Sequence, residues 1–323
     1  MRPSWIVVGL AALASPAAAT DLNLSVEAGG GNAITVGPGD SVSWSVVGEL
    51  GDSANEGLAF FVLDVQFDGG GLSAADSPSS SPMTSFDSPD GLTNPAGFGG
   101  TLDGGDLIQV GGAQNTINNS FASVPVGAVT TGVAQPGFAE ALVSGTLTAP
   151  VDPGTYTLSV TNVMANVIRQ GEIGVPFWAV DAADIGTVTN LTIEVSAFSV
   201  DVPTASIGGL GSQTMFLDAG DANAGRTYYI LGTFSGTDPG ITLANGTVIP
   251  LNYDEYFQLL VDLPNAIIAP QTGTLDFEGK ATAVFTLPPG TPTSLNGITF
   301  QHAYLLLSPK NFASNVVDVT LVP

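Results

Sequence analysis

Cysteine is absent from all 323 residues. That excludes disulfides, thiolate nucleophiles, Fe–S clusters and the usual Cys/His zinc sites. Positive charge is almost as scarce: Arg2, Arg169, Arg226, Lys280 and Lys310 face 29 acidic residues, for a net charge of −24. Such a surface repels phosphate backbones, because nucleic-acid binding rests on cations that displace counterions. Anionic membranes are disfavoured for the same reason. What the acidity suits is solubility, divalent cations, or neutral ligands such as sugars. Histidine occurs once, at His302, so any Ser-His-Asp mechanism would depend on it. It lies in a strand-like run beside Ala303-Tyr304-Leu305 with no nucleophile-elbow motif nearby, which marks it as a packing or surface histidine.

Long apolar runs are missing too, apart from the compact stretch Trp5 to Ala14. Met1-Arg2-Pro3-Ser4 before it and the small residues Ser15-Pro16-Ala17-Ala18-Ala19 after it complete the layout of a secretory signal peptide, with cleavage expected after Ala19. The run is shorter than the roughly 20 residues a spanning helix needs, and no later stretch is long and apolar enough for one. The protein is therefore expected outside the cytoplasm, secreted or at the cell surface. Without disulfides, its stability must come from its core, its strand ladders or bound ions.

What is abundant is β character. Charged residues make up only 11% of the chain and hydrophobic ones 44%, so a core can form. The 41 glycines and 22 prolines punctuate short alternating or β-branched runs, and helical periodicity is hard to find. Asp40-Ser41-Val42-Ser43-Trp44-Ser45-Val46 alternates cleanly, which places Trp44 in the core. Leu58–Phe67 is nearly continuous apolar, as expected of a central strand. Further strands are expected at Leu22–Glu27, Leu107–Gly111, Ala139–Leu147, Gly154–Val163 and Thr187–Val195. In the second half they are expected at Gln213–Asp218, Thr227–Thr233, Thr247–Pro250, Tyr256–Val261, Gly273–Asp276, Lys280–Leu287, Thr299–Leu307 and Val316–Leu321, with Asp254–Leu260 readable as a short helix instead. The fold class is all-β: two antiparallel β-sandwich domains of jelly-roll or Ig-like type after the signal peptide. The expected divisions are 1–19, 20–196, a linker at 197–206, and 207–323.

Thr35-Val36-Gly37-Pro38-Gly39-Asp40-Ser41-Val42 is followed by Glu56-Gly57-Leu58-Ala59-Phe60-Phe61-Val62-Leu63-Asp64-Val65-Gln66-Phe67-Asp68. Gly145-Thr146-Leu147-Thr148 and Pro153-Gly154-Thr155-Tyr156-Thr157-Leu158 come later. Through these the first half resembles the cohesin-like modules of bacterial extracellular proteins. The resemblance implies a jelly-roll sandwich of the kind that also hosts carbohydrate-binding modules. In the family such modules grip a dockerin, but the Gly69–Gly105 insert is larger than usual and dockerin-like calcium repeats are absent, so dockerin binding is not carried over. The second half, through Ala222–Tyr228, Leu231–Gly240, Gly279–Ala283, His302-Ala303-Tyr304 and Ala313–Val316, resembles a C-terminal module of secreted planctomycete proteins. No activity comes with it.

Two sets of candidate site residues stand out. Calcium, the one candidate cofactor, takes oxygen ligands in flexible loops. The metal candidates are Glu49, Asp52, Asn55 and Glu56 in one turn, and Asp103 with Asp106 across two glycines; Asp218 and Asp221 form a further pair. None has EF-hand spacing, and acids that shape turns account for the same residues. A glycan would need an exposed aromatic ring and amide donors, which points to Trp178, Asn115 and Asn118; a loop plugging the sandwich end and a shaped hairpin are the competing readings. The functional expectation is a secreted, non-catalytic binding or adhesion protein for a glycan or extracellular protein partner. A structural cell-surface spacer and a polysaccharide-active enzyme or accessory are the alternatives.

Overall fold

The computed structural model describes residues 21–51, 55–73, 100–113, 134–169, 180–209 and 211–323. The first half forms strands β1 Asp21–Glu27, β2 Ala33–Val36, β3 Ser41–Leu50, β4 Asn55–Phe67, β5 Thr101–Asp103, β6 Asp106–Ala113, β7 Glu140–Thr148, β8 Gly154–Arg169, β9 Val180–Ala182, β10 Asp184–Thr189 and β11 Leu191–Val195. One sheet runs β10-β1-β3-β7 and the other β2-β11-β8-β4-β6-β5, with β9 beside β8. Alternation explains why they pack: Leu22, Leu24, Val42, Trp44 and Val46 point from one sheet at Phe61, Leu63, Val65, Leu158 and Ile193 of the other. Trp44 is buried as expected, and its indole lies over Gly145, where a Cβ would leave it no room.

The second half adds β12 Phe198–Val200, β13 Thr204–Ser206, β14 Ser212–Asp218, β15 Thr227–Thr233, β16 Ile241–Thr242, β17 Val248–Ile249, α1 Glu255–Asp262, β18 Ile268–Ala269, β19 Thr272–Thr274, β20 Lys280–Thr286, β21 Thr299–Leu306 and β22 Val317–Val322. A four-stranded sheet, β12-β14-β20-β18, faces a five-stranded one, β13-β22-β21-β15-β19. Their shared core includes Phe198, Met215, Phe285, Tyr228 and Tyr304. The chain is all-β in two sandwiches. Pairing is antiparallel except where edge strands join in parallel, β10 on β1, β2 on β11 and β13 on β22. No helix among the described residues is long and apolar enough to cross a membrane.

Three local expectations are corrected. Thr187–Val195 is two strands, because the chain breaks at Asn190 and crosses from β1's sheet to β8's. Tyr256–Val261 is helical: Asp254 caps α1 by accepting from the Phe257 N–H at 2.8 Å, and Tyr256, Phe257 and Leu260 turn inward together. The stretch 197–206 carries β12 and β13, each hydrogen-bonded into the second sandwich. Only Ser196 and Ala197 separate β11 from β12.

That short passage is held by side chains of the second sandwich. The Asn315 side-chain oxygen accepts from the N–H groups of Ala197 at 2.8 Å and Phe198 at 2.9 Å, and its Nδ2 donates to the Phe198 carbonyl at 2.8 Å. Tyr304 donates its hydroxyl to the Ala197 carbonyl at 3.2 Å. Nearby, Lys280 lies 3.7 Å from Asp218, whose carboxyl burial pushes up, and Asp40 adds to the rise. Asn315→Ala strands the two backbone donors, while the Phe198 carbonyl keeps the Ser196 hydroxyl at 3.1 Å. It is expected to cost about 2 kcal/mol or more in urea unfolding; an unchanged midpoint would show that the junction is not held there.

Candidate functional site

The outer face of the first sandwich's larger sheet carries a polar array at its centre, beside the exposed Met164 of β8. Its centre is Asp64 on β4. The ladder slips there on both sides, against β6 between Leu63 and Val65 and against β8 between Val62 and Asp64. Each slip places a non-glycine residue in the left-handed region: Gln109 at φ 57° on β6 and Asn162 at φ 50° on β8. The Asp64 carboxylate holds both, accepting from the Gln109 N–H at 2.8 Å and from Asn162 Nδ2 at 2.7 Å. One side chain thus bridges three strands, and strained conformations of this kind cluster where a surface is shaped for use.

The array continues along the same face. Gln66 donates to Asp106 at 3.1 Å and accepts from the Thr161 hydroxyl at 3.3 Å. Asp68 accepts from the Thr157 N–H at 2.8 Å. Towards the far edge Thr35 on β2 donates to Glu194 on β11 at 3.5 Å. The period-two side-chain rule puts these carboxylates, amides and hydroxyls on one face of the sheet, opposite the residues that form the core.

The sequence-predicted residues fall in different places. Asp103 and Asp106 sit opposite one another at the β5–β6 turn, and Asp106 joins the polar face through Gln66. Glu49 belongs to β3 in the other sheet and accepts from the Gly137 N–H at 2.6 Å. Asn55 and Glu56 are the first residues of β4, where Asn55 pairs with Arg169. Asp52, Asn115, Asn118 and Trp178 lie outside the described residues, as does most of the Gly69–Gly105 insert. Among the described residues no three Asp, Glu or His side chains gather to hold a metal ion.

His302 is wholly buried. Its Nε2 meets the Tyr256 hydroxyl at 2.9 Å, and its ring is flanked by Phe285. Burial pulls its pKa down to about 3, so it is neutral at ordinary pH. A group with no path to solvent cannot act as a base on an external substrate.

Sequence reasoning missed Asp64, Gln109 and Asn162. Their signal is the paired ladder slips, which depend on partners far along the chain.

No protein-family model matches the chain, and no curated protein does. Several solved structures are similar. The sixth cohesin of scaffoldin B from Acetivibrio cellulolyticus, in complex with a mutant dockerin, is 13% identical over 54% of this chain and 99% of that one, with a TM-score of 0.32. The type II cohesin dyad of an adaptor scaffoldin from the same organism is 10% identical over 94% and 97%, with a TM-score of 0.29. The adhesin InvE of Yersinia pseudotuberculosis is 15% identical over 93% of this chain, with a TM-score of 0.25; this chain spans 58% of that adhesin. Cohesin domains are thus among the structures the chain is similar to, and the likeness is one of general β-sandwich architecture.

Proposed function

We propose that the protein is a non-catalytic extracellular binding or adhesion protein that engages a protein partner through the outer face of the first sandwich's larger sheet. The observation that carries this reading is the Asp64 bridge, which holds two left-handed residues to build a fixed array of donors and acceptors. The array spans several strands of an open sheet face, the kind of extended surface that protein interfaces use. The side chains that form it are carboxylates, amides and hydroxyls.

Gln66→Ala combined with Thr161→Ala and Asp106→Ala removes the exposed contacts and leaves the Asp64 bridge in place. Retention of the protein on isolated native envelopes, or capture of a partner by cross-linking, is expected to fall at least about tenfold, as loss of a hot-spot cluster would cause. The circular dichroism spectrum should not change. Unaltered retention would move the interface elsewhere. Glycan-array binding that the same triple variant abolishes would replace the protein partner with a saccharide.

A further inference from the structure

The second sandwich is open at one end, and the opening is an apolar cavity of about 420 Å³. Phe285 of β20 lines it from one sheet, Phe300 of β21 from the other, and Tyr256 and Leu259 of α1 from the side. It continues the core outward, since Tyr256, Phe285 and Phe300 all belong to the buried cluster. Its size falls within the roughly 300–1,000 Å³ of small-molecule pockets.

Two features keep the space from collapsing. The rings are pinned edge-on: Tyr256 against Phe300 at 4.6 Å and 66°, and Phe234 against Phe300 at 6.1 Å and 80°. Tyr256 is further anchored by its hydroxyl on His302. Neither ring can lie down across the gap without losing these contacts.

The chemistry of the lining selects the occupant. Its hydroxyls are already used, Tyr256 on His302 and Thr291 on the Pro288 carbonyl at 2.7 Å. Pro288, Pro289 and Pro292 form the lip and lack the N–H groups that an added strand would pair with. Glu255 is the one charged residue in the lining, and the chain around it carries −24. Anionic amphiphiles are therefore repelled, and an amine is welcome at the rim.

We propose that this cavity is a binding site for a small apolar aromatic molecule that is uncharged or carries an amine directed at Glu255. The site is separate from the sheet face of the first sandwich and does not depend on its role.

Two fluorescent probes with the same rings test it on the purified full chain: phenylnaphthylamine and its sulfonated relative anilinonaphthalenesulfonate. The uncharged phenylnaphthylamine is expected to saturate at one site per chain. The sulfonate should bind at least about tenfold more weakly, because its charge meets Glu255. Glu255→Gln should narrow that gap, and Leu259→Arg, on the exposed side of the helix, should reverse it. Leu295→Trp should fill the space and abolish binding of both probes while the melting temperature holds. Should that variant fail to fold, the two rim substitutions decide. Non-saturating fluorescence, or probe preferences that neither rim substitution moves, would overturn the proposal.

Discussion

Gly279→Ala is expected to destabilise the second sandwich by about 3–5 kcal/mol, combining the left-handed penalty of an L-residue with an overpacking clash. Gly279 has φ 75°, and a Cβ there would fall closer than 3.0 Å to the Gly220 carbonyl oxygen. Gly220, also at φ 75°, would drive its own Cβ just as close to the carbonyl oxygen of Pro38, in the first sandwich. Three backbone segments therefore stack with no space for a methyl group, and the middle one, from the second sandwich, touches the first. Gly290 is the control: its φ is 84°, but nothing lies within 4 Å of a Cβ placed there. Gly290→Ala should cost only about 1–2 kcal/mol. Chemical unfolding of the three variants separates the terms. Gly220→Ala should in addition split a single transition into two, as the sandwiches come apart. Equal losses for Gly279→Ala and Gly290→Ala would mean that the stack is looser than described.

The second large effect is acid sensitivity at His302. Its pKa is lowered to about 3 by burial, against an ordinary value of 6.5. Between those values the unfolded chain binds a proton that the folded chain refuses. The stability contributed by neutral burial is thus fully present above pH 6.5 and lost as the pH falls towards 3. The slope reaches roughly 1.4 kcal/mol per pH unit, and the sum is on the order of 5 kcal/mol. Asp201 and Asp254 act in the same direction. Hydrogen bonding holds the Asp201 carboxyl below the usual range, and bonds from Thr233, Phe257 and Phe234 outweigh burial at Asp254. The clean measurement is therefore a difference. His302→Gln keeps a partner for the Tyr256 hydroxyl but cannot titrate, so its unfolding free energy should fall less steeply than the parent's between pH 6.5 and pH 4. Parallel curves would mean that His302 is protonated in the folded state.

Some features were readable locally because their cause is local. Val42, Trp44 and Val46 alternate with serines, and that pattern has no solution other than a half-buried strand. The runs at Gln213–Asp218 and Lys280–Leu287 carry the same information, and they pair with each other from Ser212 against Thr286 to Asp218 against Lys280. Three short edge strands were not readable. β2, β12 and β13 are three or four residues long and owe their form to a neighbouring ladder, not to their own propensity. The helix α1 lies between these cases. Its cap is local and visible in Asp254, but its exposed Leu259 and Val261 blur the helical pattern.

The sequence by itself determined the all-β class, the lack of cysteine chemistry, the acidic surface and the buried place of Trp44, since each follows from composition or from a period of two. Only the tertiary structure decided the rest. Asp64 became a bridge because β6 and β8, distant in the chain, both slip against β4 at the same point. His302 lost its charge because Tyr256 and Phe285 close around it. The cavity exists because side chains of both sheets and of α1 meet around it while edge-on rings keep the space from closing. Each of these depends on which surfaces meet, and that is set by the summed burial of both sandwiches, which no short stretch of sequence carries.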